Sequence, residues 1–203
     1  MIQVKDNVVP KKYTYLFETI YSNGEMAYYR SPSTCNRITY LSHTLLKRDA
    51  FLKTTFNLKE PVLNSHYYPP FAELATFIIT EKFKLPFHEF FRMSINWCIP
   101  DGSFVQTDPH CDHSFKHKNF LLYLTNSSGE TLIYKERAPL VQEPGLDKDS
   151  HVPDQPQETF KGSIESKVMP KKGRAVIFDG DHYHANVLPK RGDHRLLLVA
   201  TFI

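Results

Sequence analysis

The sequence predicts an α+β chain that is mainly β, with helices leading and a β-sandwich or jelly roll following. Three observations carry this. Two stretches with helical spacing of apolar residues fall within residues 1–87. A series of short β-rich runs crowds residues 90–203. Turn chemistry separates several of those runs. Strands this dense behind leading helices need a layered β core with the helices as a buttress.

Taken in order, Met1 to Val4 reads as a short strand. A helix follows from Pro10 to Tyr21, where Tyr13, Leu16, Phe17, Ile20 and Tyr21 recur at helical spacing and Pro10 suits the first turn. Ser22-Asn23-Gly24 turns the chain into an aromatic strand, Met26 to Tyr29. Residues 41–64 are mixed and carry no clear period. Pro69-Pro70 opens a second amphipathic helix, Phe71 to Phe83, with Leu74, Phe77, Ile78 and Ile79 on its buried side.

From Phe90 the texture changes. Strands are expected at Phe90–Ile99, Thr107–His113, Asn119–Leu124, Thr131–Lys135, Phe160–Met169, Ala175–Phe178 and His194–Ile203. Pro100-Asp101-Gly102, Asn126-Ser127-Ser128-Gly129, Lys171-Lys172-Gly173 and Lys190-Arg191-Gly192-Asp193 supply turns between them. Residues 138–157 hold four prolines and several acids without periodicity, which reads as a mobile insertion between two strands. The expected organisation is one domain over 1–203, with 1–87 as helical support and 88–203 as the β core.

Composition excludes several functions. Hydrophobic residues make up 41% of the 203, enough for a sizeable core, so wholesale disorder is out. A net charge of +3 is too small for a dedicated nucleic-acid surface. The longest apolar runs fall far short of a membrane span, and the start lacks a secretory layout, so a cytoplasmic protein is expected. Cys35, Cys98 and Cys111 are too few and too scattered for a disulfide framework or a zinc ribbon.

The chemistry concentrates in Asp108-Pro109-His110-Cys111-Asp112-His113. On a strand, His110 and Asp112 project to one face and Cys111 to the other, so an imidazole and a carboxylate can hold one metal side by side. Downstream, Gly173 to Ala185 reads as a buried strand, a glycine turn and His184 at the start of the next strand. Eleven residues later Arg195 opens the last strand, where a hairpin should bring its guanidinium back near the metal. Tyr123 ends a strand expected to pair near that of His110, ahead of Gly129-Glu130-Thr131.

These pieces, in this order over residues 88–203, resemble the Fe(II)/2-oxoglutarate-dependent oxygenases, particularly the prolyl-4-hydroxylase-like branch and its phage relatives. The resemblance implies a double-stranded β-helix (jelly roll) core. It maps the metal set to His110, Asp112 and His184, the cosubstrate's distal carboxylate to Arg195, and a second cosubstrate contact to Tyr123. It implies Fe(II), 2-oxoglutarate and O2, with ascorbate as a candidate reductant. The implied reaction is hydroxylation of a substrate C–H, with a peptidyl, prolyl-type side chain as the first substrate class. A halogenating relative would lack the carboxylate of Asp112. One departure stands out: many prolyl hydroxylases carry a tyrosine where Cys98-Ile99 stand here.

Competing readings are a cupin-like metal-binding module, which has no need of Arg195, and a small-molecule hydroxylase. Nucleic-acid demethylases end on two arginines six apart, whereas Thr201 stands six after Arg195. Zinc hydrolases need a denser His-x-His-x-Asp-His array. His113 and His182 compete as ligands, but His113 has the wrong strand parity and His182 lies nearer the Gly180 turn. Oligomeric state is not written in the sequence.

Overall fold

A computed structural model describes residues 1–22, 26–32, 39–47, 62–100, 106–113, 115–139 and 159–203. Eleven strands and two α-helices are formed among them. The strands are β1 (Ile2–Lys5), β2 (Tyr29–Pro32), β3 (Thr39–Lys47), β4 (Val62–Leu63), β5 (Phe90–Cys98) and β6 (Lys118–Tyr123). They continue with β7 (Thr131–Arg137), β8 (Ile164–Val168), β9 (Ala175–Asp179), β10 (His182–Asn186) and β11 (Arg195–Phe202). The helices are α1 (Thr14–Ser22), entered by a 3-10 turn at Lys11–Tyr13, and α2 (Tyr68–Phe77), extended by a π turn at Ile78–Lys82. Among the described residues no helix is long and apolar enough to cross a membrane.

The strands form two antiparallel sheets. The large one runs β1-β9-β6-β11-β5-β3-β2, with β4 beside β3, and the small one runs β10-β7-β8. β11 lies at the middle of the large sheet. Its sequence Arg-Leu-Leu-Leu-Val-Ala-Thr-Phe is buried at every position, as a strand covered on both faces should be. Leu196, Leu198, Ala200 and Phe202 join the core under α1 and α2, with Leu16, Phe17, Phe71 and Leu74. Leu197 and Val199 join the inner core with Leu121, Tyr123, Val176, Phe178 and Ile133 of the small sheet. Period-two alternation therefore sorts side chains between a helix-backed face and a sheet-to-sheet interior. This is a jelly roll buttressed by helices, as the sequence predicts.

Several elements differ from expectation. Residues 107–113 form no strand. Among the described residues this segment is held by isolated bridges at Gln106↔Val187 and His110↔His184, because Pro109 has no N–H to give a ladder. β2 begins at Tyr29 rather than Met26, since its partners on β3 stand opposite Tyr29–Pro32. β8 is confined to Ile164–Val168, as Phe160 turns aside to pack on the rings of Tyr134 and Tyr183. β3 lies in a stretch without a clear period, because Ser42, His43 and Thr44 interrupt its apolar pattern. Asn23-Gly24, Asp101-Gly102 and residues 140–157 of the insertion lie outside the described residues.

Candidate metal and cosubstrate site

The bridge between His110 and His184 builds the site. Each backbone N–H donates to the other's carbonyl, at 3.0 and 2.9 Å, so the two residues stand directly opposite and their rings lie 4.4 Å apart. Paired residues share a face. Asp112 joins them at a bend, and one ligand atom from each of the three side chains lies within 4.8 Å of the others. Parity on a strand predicts that His110 and Asp112 share a side. They do share one, through a bridge and a bend rather than a strand.

The donor set suits a metal ion. Nδ1 of His110 is 2.9 Å from the Asp108 carbonyl and Nδ1 of His184 is 3.3 Å from the His182 carbonyl. A carbonyl only accepts, so each Nδ1 donates there, and in the neutral ring Nε2 keeps its lone pair for a metal. Burial, then the neighbouring His110, pushes His184 down to about 3, which keeps its imidazole neutral. Burial pushes the Asp112 carboxyl up, but Arg92, His184 and His110 outweigh it and hold it well below the usual carboxylate range. Two imidazoles and an ionised carboxylate match a divalent metal that keeps open positions.

The competing histidines face elsewhere. His113 Nε2 is 2.8 Å from the Thr201 hydroxyl, and its ring stacks on Phe115. His182 Nδ1 is 2.7 Å from the Tyr134 carbonyl on the small sheet. Cys111 is buried away from the triad, among Leu132, Tyr134 and Ala185.

Arg195 is fully buried. Its Nη1 donates to the carbonyls of Gly129 at 2.9 Å and Val187 at 3.4 Å, and its Nη2 lies 3.5 Å from Cys98 Sγ. Its Nε is buried with no partner among the described residues. All these acceptors are neutral. The expected hairpin does not form: β10 pairs with β7 in the small sheet while β11 pairs with β5 and β6 in the large one. Arg195 reaches the carbonyl just past β10 across the sandwich instead. Of Cys98-Ile99, the pair noted above, Cys98 contacts the guanidinium directly.

Tyr123 is buried opposite Leu197, with its hydroxyl donating to Thr131 Oγ1 at 2.8 Å. Its strand pairs with β9 and β11, not with residues 107–113, so it neighbours the Arg195 end of the interior. Burial pushes its phenol up, against a smaller opposing pull from Arg195.

Arg92 is not among the expected site residues, yet its Nη2 donates to Asp112 Oδ1 at 2.7 Å. The signal was present in the alternation Arg92, Ser94, Asn96 against Met93, Ile95, Trp97, a polar face set against an apolar one. Nor is His117 among the expected site residues, buried against Gly180 so closely that a Cβ there would sit 2.1 Å from its Nε2.

Solved structures share this architecture. An oxidoreductase of the 2OG-Fe(II) oxygenase family from Burkholderia pseudomallei superposes with a TM-score of 0.62, over 99% of this chain and 84% of that one, at 9% identity. The fold is that of the 2OG-Fe(II) oxygenases. The epimerase SnoN, solved with Fe3+, alpha ketoglutarate and nogalamycin RO, gives a TM-score of 0.58 over 99% and 78% of the chains at 15% identity. A Trichoplax adhaerens prolyl hydroxylase, solved with a hypoxia inducible factor peptide fragment, gives 0.57 over 100% and 83% at 10% identity. No family model matches the sequence, and no curated protein is similar to it in sequence. Within this oxygenase fold the His110–His184 bridge joins residues 106–113 to the small sheet, and Arg195 lies in the interior between the sheets.

Proposed function

We propose that the chain is an Fe(II)- and 2-oxoglutarate-dependent dioxygenase that hydroxylates a substrate C–H bond, with a peptidyl, prolyl-type side chain as substrate class. The observation that carries it is a fully buried guanidinium with only neutral partners, in the same interior as a His-Asp-His set. A buried charge without a counter-ion costs several kcal/mol, about the scale that loss of one partner of a buried pair reveals. A cupin-like metal module has no reason to bear that. An oxygenase has one, since an anionic cosubstrate completes the pair.

His110, Asp112 and His184 would hold the iron through two Nε2 atoms and a carboxylate oxygen. Bound there, iron supplies the redox chemistry by which 2-oxoglutarate, O2 and R–H become succinate, CO2 and R–OH. Arg195 binds the distal carboxylate of 2-oxoglutarate with its planar fork and so fixes the cosubstrate's direction. The Tyr123 hydroxyl can turn from Thr131 to the same carboxylate. Leu121, Val176, Leu197 and Val199 exclude water around that end of the interior. The neutral imidazole of His184 and the ionised Asp112 need release no proton before metal binds.

Succinate formation tests this. Wild type with Fe(II), 2-oxoglutarate and O2 should release succinate, and a prolyl peptide should gain a single oxygen atom. His184→Ala and Arg195→Ala should abolish both. Undetectable 2-oxoglutarate binding by the metal-loaded wild type would leave the cupin-like reading.

A further inference from the structure

The interior carries a second cation that the reaction above does not use. On the inner face of β5 stand Arg92, Ser94 and Asn96, opposite Thr201, Val199 and Leu197 of β11. On its other side β3 places Thr44 opposite Ser94 and Ser42 opposite Asn96, and Ser42 Oγ donates to Asn96 Oδ1 at 2.9 Å. The wall made by β6, β9 and β11 is apolar; the wall made by β5 and β3 offers hydrogen-bonding groups.

Arg92 ends this polar strip beside the triad. Its side chain is about one-third exposed (34%), and its Nε is buried without a partner among the described residues. Asp112 is the one carboxylate among the described residues that acts on it, with a smaller pull from the Tyr40 phenol. A divalent ion held by the triad engages that same carboxylate. Arg92 then presents a charge that no other carboxylate among the described residues balances, while Arg195 is taken by the cosubstrate. A guanidinium with one edge on Asp112 keeps donors on its other edge, in the planar fork that suits a carboxylate.

We infer that Arg92, with Ser94 and Asn96, anchors a carboxylate of the substrate beside the metal. The inference rests on the iron and 2-oxoglutarate reading of the site. The carboxylate belongs either to a free amino or hydroxy acid or to an acidic side chain of a peptide.

The test uses protein loaded with Mn(II) and 2-oxoglutarate, which binds without turning over. Calorimetry first measures 2-oxoglutarate itself; if it does not bind, the function proposed above falls and this inference falls with it. Matched pairs are then titrated: free L-amino acids and 2-hydroxy acids against their carboxamides in one arm, Glu-containing peptides against their Gln twins in the other. At least one acid should bind ten times or more tightly than its amide, and the arm in which this occurs names the source. Arg92→Gln should erase the preference and Arg92→Lys should keep part of it. With 2-oxoglutarate bound, no acid binding in either arm, equal binding of acid and amide, or an undiminished preference in Arg92→Gln each overturns the anchor.

Discussion

Replacing Arg195 with methionine should separate two quantities that an ordinary structural arginine would move together. The guanidinium is fully buried and meets only neutral acceptors, Gly129 O at 2.9 Å, Val187 O at 3.4 Å and Cys98 Sγ at 3.5 Å. Removing the charge recovers a desolvation cost of several kcal/mol. Losing the shorter hydrogen bond leaves the Gly129 carbonyl unpaired, at about 1–3 kcal/mol. The metal-free variant should therefore melt at or above the wild-type temperature. Cosubstrate binding should move the other way, losing about 2–5 kcal/mol as one partner of a buried charge pair disappears. At a 2-oxoglutarate concentration near 100 times the wild-type Kd, the Mn(II)-loaded wild type gains about 2.7 kcal/mol. For a chain of this size that is a rise of roughly 5–10 °C. A 2 kcal/mol loss of affinity leaves the variant about 0.9 kcal/mol at the same concentration, and a larger loss leaves almost none. Differential scanning calorimetry with and without 2-oxoglutarate reads both quantities. A variant that melts far below wild type yet keeps its full ligand-induced rise would show a purely structural arginine and refute the reasoning.

Other consequences follow from the same geometry. His110→Ala and His184→Ala should each weaken Mn(II) binding at least tenfold, while His113→Ala and His182→Ala should not, since those rings face Thr201 and Tyr134; titration followed by electron paramagnetic resonance distinguishes the sets, and equal losses in all four would dissolve the assignment. His184 is held down to about 3 in the folded chain, chiefly by burial, against an ordinary value near 6.5. The unfolded chain thus takes up a proton that the folded one refuses, so the metal-free protein should lose about 1.4 kcal/mol of stability per pH unit from this group as pH falls from 6.5 toward 4. His117, also pushed down by burial, adds to that slope, and His184→Gln should remove its own share in urea melts; an unchanged slope speaks against a neutral buried imidazole. Gly129 has φ +89° and would bring a Cβ to 2.6 Å from the Val187 carbonyl. Gly129→Ala should therefore cost more than about 1 kcal/mol of stability and, by moving the carbonyl that Arg195 bonds, weaken 2-oxoglutarate; an unaltered melt and affinity would contradict this.

Alternation made much of the fold legible. In β11 it separates Leu197 and Val199 from Leu196 and Leu198, and the structure sends the first pair inward and the second toward the helices. It also put His110 and Asp112 on one side, although Pro109 prevents the strand from which that parity was argued. What alternation does not encode is which sheet a strand joins. His184 and Arg195 looked like the two ends of a hairpin, yet their strands lie in opposite sheets and approach across the interior. β3 was illegible because its inward residues, Ser42 and Thr44, face the polar side of β5 rather than an apolar core. Arg92 was legible only in part: alternation along β5 puts it on the polar face with Ser94 and Asn96, but its 2.7 Å contact with Asp112 is what ties it to the site.

The most direct measurement is a crystal structure of the protein soaked with Mn(II) and 2-oxoglutarate under anaerobic conditions, with anomalous diffraction to locate the metal. One ion should be bound by His110, Asp112 and His184, with the distal carboxylate of 2-oxoglutarate on the guanidinium of Arg195. An ion held by other residues, or a cosubstrate carboxylate lying away from Arg195, would contradict it.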